Sequence, residues 1–158
     1  MEAKENIKDL VIPLSDYPHM PYWGTIREAI VQLNVARETG HNTILVFDEV
    51  YKLVGVLSQK DILKGLLPKF TQHYEDGVPI FWNELLKTGS EKQLASPIKE
   101  YMSGVKATID AEESILKASH IMLREDTYLL PVMERENLIG VLRMDELFHD
   151  ITSTVLNL

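Results

Sequence analysis

Leu53-Val54-Gly55-Val56-Leu57-Ser58-Gln59-Lys60-Asp61-Ile62-Leu63 begins as an apolar, β-branched run of strand length and turns at once into a helical pattern. Gly55 inside the run marks a place where something approaches the backbone closely. Ser58 stands where a helix N-cap belongs, and Asp61 follows at the spacing of a capping box. A helix that starts at the end of a strand presents N–H groups and the positive end of its dipole, which suits an anion. Asp61 beside it can accept hydrogen bonds from hydroxyls. Phosphate and sugar hydroxyls together point to a nucleotide.

The stretch recurs. Leu138-Ile139-Gly140-Val141-Leu142-Arg143-Met144-Asp145-Glu146-Leu147-Phe148 repeats the pattern, with Gly140 lying 85 residues after Gly55. Such a match is read as an internal repeat. Other pieces recur in the same order. Ile7-Lys8-Asp9-Leu10-Val11-Ile12-Pro13 and Ile98-Lys99-Glu100-Tyr101-Met102-Ser103-Gly104 are lead-in turns, each ending in a breaker. Thr25 and Ser114 each cap a helix, and Glu28 closes a capping box with Thr25. Ile26, Ala29, Ile30, Leu33 and Ala36 share one helical face, and Gly40 ends that helix. In the second copy Ile115, Ala118, Ile121 and Met122 face inward.

Thr43-Ile44-Leu45-Val46-Phe47 and Tyr128-Leu129-Leu130-Pro131-Val132-Met133 are the middle strands, and Val105-Lys106-Ala107-Thr108-Ile109 is expected to be extended. Each Gly-containing strand leads into a helix, one from Gln59 to about Leu67, the other from Asp145 to about Val155. The offset between copies is 89 at Thr25 and Ser114 but 85 at the glycines, so copy one carries four extra residues.

The chain has 158 residues, enough for one domain or a tightly joined pair, with 45% hydrophobic and 25% charged residues. No cysteine is present, which excludes disulfides, thiolate nucleophiles and Cys-ligated metals and fits a reducing cytoplasm. The apolar runs are only strand-length and the N-terminus is polar, so neither a membrane span nor a signal peptide is expected. A net charge of −8 argues against nucleic acid or an anionic membrane as partner.

Each copy reads strand, helix, strand, strand, helix, and the last strand enters its helix through a Gly-hydrophobic-x-Ser/Thr-x-x-Asp pattern. This resembles the CBS domain, named for cystathionine β-synthase. The tandem arrangement is similar to a CBS pair, or Bateman module. The supporting residues are Gly55 to Asp61, Leu129-Leu130-Pro131-Val132 with Leu138 to Leu142, and the opening Pro97-Ile98-Lys99-Glu100-Tyr101-Met102-Ser103.

The expected organisation is α/β: a CBS repeat over 7–67, a helical insert over 68–97 and a second repeat over 98–155. Phe70, Tyr74, Phe81 and Trp82 punctuate the insert, where residues 83–87 look helical. These aromatics serve core packing, or else a dimer contact or a lid.

The resemblance implies two clefts between pseudo-symmetric repeats, binding AMP, ADP, ATP or S-adenosylmethionine. It also implies a homodimer. In that picture Asp61 holds the ribose hydroxyls, and Ser58 with its helix N-terminus faces the phosphate. Tyr17, Pro18 and His19 form the pocket lip, where Tyr17 or His19 stacks on the base or is simply a turn residue. In copy two Arg143 stands at the Ser58 position and Glu146 at that of Asp61. Arg143 either forks the phosphate of a nucleotide anchored by Asp61, or copy two has lost binding and Arg143 pairs with Asp145, Glu146 or Asp150.

Catalysis finds no support. There is no nucleophile elbow, no Walker loop and no histidine pair at metal spacing, and His19, His41, His73, His120 and His149 are scattered. The expectation is therefore a stand-alone cytoplasmic regulatory module that senses an adenine nucleotide, a signal of energy state, and acts on an unknown protein target. The alternative is a ligand-free interaction module that works through dimerisation and the aromatic insert.

Overall fold

The computed structural model describes residues 6–67 and 90–157. In chain order these form β1 (Ile12–Pro13), β2 (His19–Pro21), α1 (Ile26–Val35), β3 (Thr43–Phe47), β4 (Leu53–Ser58), α2 (Gln59–Leu66) and α3 (Glu91–Ala95). Then follow β5 (Ile109–Asp110), α4 (Ile115–Glu125), β6 (Leu129–Glu134), β7 (Asn137–Arg143) and α5 (Met144–Leu156). Phe70, Tyr74, Phe81, Trp82 and the helix expected over 83–87 lie outside the described residues.

The chain divides into two compact units, one of Pro18–Gly104 and one of Met1–Tyr17 with Val105–Leu158. In the first, the sheet order is β2-β3-β4, with β2 parallel and β4 antiparallel to β3. Its core holds Met20, Ile26, Ala29, Leu33, Ile44, Val46, Leu57, Ile62 and Ile98. Thr25 caps α1, its hydroxyl oxygen accepting from the Glu28 N–H at 3.2 Å. The Glu28 carboxylate accepts from the Thr25 hydroxyl at 3.1 Å, so only half of the expected box forms. Gly40 takes a left-handed φ of 78° behind the 3-10 turn Ala36–Thr39, where much of copy one's extra length sits.

The second unit has sheet order β1-β7-β6-β5. Helix α4 buries Ile115, Ala118, Ile121 and Met122, the face expected, onto a core with Ile7, Ile109, Leu130, Val132, Leu142 and Leu147. The strand expected over 105–109 is shorter than its pattern implies: only Ile109 and Asp110 pair with β6. Proline explains this. In copy one the Leu45 N–H donates to Pro18 O at 3.0 Å, which starts the β2 pairing. The matching position in copy two is Pro131, which has no N–H to give.

The compact units cut across the sequence repeats, because each lead-in docks on the other copy's Gly strand. Ile12 and Pro13 pair with Val141 and Gly140. Ser103 and Val56 exchange both backbone hydrogen bonds, at 2.8 and 2.9 Å. This is the close approach that the two glycines permit. A Cβ on Gly140 would lie 2.1 Å from Ile12 O, and one on Gly55 would lie 2.8 Å from both Met102 Sδ and Ser103 O.

Candidate functional site

Strand β4 ends at Ser58, whose backbone leaves the extended region only at the next residue, and α2 begins there. The Ser58 hydroxyl oxygen accepts from the Asp61 N–H at 3.1 Å, and Asp61 Oδ2 accepts from the Ser58 N–H at 3.0 Å. That is the reciprocal capping box expected from the spacing. The Gln59 N–H donates to Asn42 O at 3.3 Å. Part of the helix's donor set is thus satisfied within the unit, which leaves less of it for an anion than the bare pattern implies. The second carboxylate oxygen, Asp61 Oδ1, accepts from the Ser103 hydroxyl at 2.8 Å.

His19, expected at the lip, pairs two positions further along β3 than Ser58 does. Thr43 opens β3 opposite Ser58, and His19 opens β2 opposite Leu45. Pro18 is buried and its carbonyl is bound to Leu45, whereas His19 is exposed. The His19 ring meets Phe47 edge-on at 6.0 Å between centroids. Pro18, His19, Ser58 and Asp61 therefore belong to one unit.

Tyr17, Arg143 and Glu146 belong to the other. Arg143 is the N-cap residue of α5 but makes no side-chain cap bond. Its Nε–H instead lies 3.0 Å from each Glu146 carboxylate oxygen, and Nη2 also pairs with Glu146 Oε1. Both side chains are largely covered, at 18% and 25% exposure, so this pair is better shielded than a surface ion pair. The guanidinium is held above the usual arginine range, first by its hydrogen bond to Glu146. Burial opposes this, and the charges of Glu146, Asp145 and Tyr17 add to it. Of the partners named from sequence, Glu146 is seen in an ion pair with Arg143. Tyr17, nearly fully buried, is among the groups that act on Arg143.

The CBS domain family matches residues 24–68 and 98–153, one region in each copy. The chain belongs to this family. The CBS-pair protein CBSX2 from Arabidopsis thaliana has the same fold, with a TM-score of 0.71 at 19% identity over 98% of this chain and 99% of that one. A structure of CBSX2 in complex with AMP gives 0.67 at 19% identity, over 96% of this chain and 99% of that one. A CBS domain-containing protein of unknown function from Bacillus anthracis gives 0.70 at 19% identity, over 96% and 95%. No curated protein matches the chain.

One polar contact of this CBS pair escapes sequence reasoning. Ser103 reaches Asp61 across 42 residues of sequence, through the exchanged lead-in. Only its place in the matched string Met102-Ser103-Gly104 singles it out. Among the described residues no cluster of three or more His, Asp or Glu could hold a metal ion. None of their helices is long and apolar enough to cross a membrane.

Proposed function

We propose that this CBS pair is a regulatory module that binds an adenosine nucleotide of the AMP, ADP or ATP type and carries out no catalysis. The observation that carries the reading is the half-buried Asp61 carboxylate at the head of α2. One of its oxygens is committed to the helix cap, and the other already receives a hydroxyl. That second oxygen suits ribose. Ser58 and the start of α2 suit the phosphate, and Pro18 and His19, in the same unit, flank the base. In the second copy Arg143 serves a phosphate, with Tyr17 and Glu146 beside it. The AMP bound by a relative of the same fold supports adenine as the base. S-adenosylmethionine shares the adenosine moiety and is the other ligand to test. Binding selects one conformation of the site, and the population shift is what a protein target senses.

Thermal shift against AMP, ADP, ATP and S-adenosylmethionine tests this. A ligand at a hundred times its Kd adds about 2.7 kcal/mol, or roughly 5–10 °C in Tm for a chain of this size. No shift with any of the four at millimolar concentration overturns the reading.

An interaction surface is the second reading, and it has its own support. Helices α4 and α5 expose Leu116, Leu123, Phe148 and Val155 at 81%, 77%, 63% and 72%. Phe148, Ile151 and Val155 follow one another at helical spacing along α5. We assign this stripe to a homodimer contact, which is compatible with nucleotide binding.

A further inference from the structure

We infer that Ser103 competes with the ligand for Asp61, and so sets how strongly the site favours a ribose over a deoxyribose. The inference rests on the nucleotide reading above. Asp61 has two oxygens with different duties. Oδ2 accepts from the Ser58 N–H at 3.0 Å and is committed to the start of α2. Oδ1 is the oxygen that remains for a ligand, and the Ser103 hydroxyl already donates to it at 2.8 Å. A sugar hydroxyl would make the same O–H···O⁻ bond.

Ser103 is well placed to hold that position and to give it up. Its backbone is clamped to Val56 by hydrogen bonds of 2.8 and 2.9 Å, which keeps the residue beside β4. Its side chain is exposed, so rotation about a single bond returns the hydroxyl to water. A ribose therefore exchanges one hydroxyl for another on Oδ1 and gains less than it would from a vacant carboxylate. A 2′-deoxy nucleotide leaves the serine hydroxyl where it is and loses little. The protein with Ser103 thus discriminates weakly between the two sugars.

Calorimetric titration of the full chain with AMP and 2′-deoxy-AMP tests the inference, with ATP and 2′-deoxy-ATP in parallel. The proteins are wild type, Ser103→Ala and Ser103→Thr. In Ser103→Ala the ribonucleotide should bind roughly three- to tenfold tighter, the net worth of one exchanged hydrogen bond. The deoxynucleotide should change by less than about twofold, so the ratio of the two widens. Ser103→Thr restores a hydroxyl and should return the ratio to that of wild type. Ribonucleotide affinity that is unchanged or weaker in Ser103→Ala overturns the competition while leaving nucleotide binding in place. No binding by wild type or by either variant defeats the nucleotide reading and the competition with it.

Discussion

Asp61→Asn and Asp61→Ala together separate the two duties of this carboxylate. In the free protein Asp61 accepts one hydrogen bond from the Ser58 N–H and one from the Ser103 hydroxyl. Alanine removes both acceptors but keeps the backbone N–H that bonds to Ser58 Oγ. The cap partner is worth about 1 kcal/mol. The Ser103 bond adds about 0.5–1 kcal/mol, because an exposed hydroxyl recovers water. The sum, roughly 1.5–2 kcal/mol, lowers Tm by roughly 3–8 °C. Asparagine behaves differently. Its remaining oxygen can serve the Ser58 N–H, and its NH₂ can donate to Ser103 Oγ, which accepts as readily as it donates. Stability should therefore fall by well under 1 kcal/mol. Binding is rescued only in part, since a ribose hydroxyl can accept from the neutral NH₂ but loses the charge-assisted bond to a carboxylate. Ala leaves the ribose hydroxyl without its partner and should cost ten- to a hundredfold in nucleotide affinity, about 1.5–3 kcal/mol, and Asn should cost less than Ala. Urea melts without ligand and calorimetric titrations with AMP give both readouts on each variant. An Asp61→Asn protein that binds AMP as tightly as wild type refutes the ligand role and leaves Asp61 as a cap residue alone.

Other substitutions probe the scaffold. Gly140→Ala places a methyl 2.1 Å from Ile12 O and 2.9 Å from Val11 Cγ1, so the lead-in strand must shift. A loss of roughly 2–3 kcal/mol in a urea melt is expected, and a neutral result would show that β1 is not held there. Gly55→Ala should cost less, because its nearest neighbours, Met102 Sδ and Ser103 O, lie at 2.8 Å rather than 2.1 Å. The two sites should be unequal: the one with Ser58 and Asp61 should bind nucleotide more tightly than the one with Arg143 and Glu146. Calorimetry that finds two equivalent sites per chain contradicts this. Light scattering should give a dimer mass at micromolar protein and a monomer mass for Phe148→Glu; a monomeric wild type removes the homodimer.

Local features were legible because they are written in adjacent residues. The caps at Thr25, Ser58 and Ser114, the stop at Gly40 and the inward face of α4 each follow from a few residues at fixed spacing. The repeat made them firmer, since one pattern matched in order can be checked against the other. What stayed hidden depends on contacts between distant segments. Gly55 announced a close approach and Gly140 repeats its position, but the sequence does not say that the approaching segment is the other copy's lead-in. Ser103 was invisible as a partner of Asp61 for the same reason. The shortened β5 is a subtler case. Pro131 stood in plain view, and its missing donor matters only once the register places it opposite the start of that strand.

The two junctions show how a duplicated fold changes its chemistry without losing its frame. At β4 and α2 the residues three apart, Ser58 and Asp61, trade hydrogen bonds that start the helix. At β7 and α5 the same two positions hold Arg143 and Glu146. The i and i+3 geometry is retained, but an arginine cannot accept an N–H, so the cap is lost and an ion pair spans the gap instead. Asp145 and Glu146 in the first turn then offset the dipole electrostatically rather than through a serine oxygen. A phosphate arriving at Arg143 must share or displace Glu146, and separating a largely covered pair leaves a carboxylate to be resolvated. A phosphate arriving at Ser58 breaks no ion pair seen among the described residues. The prediction of unequal sites follows from that difference in what each junction must give up.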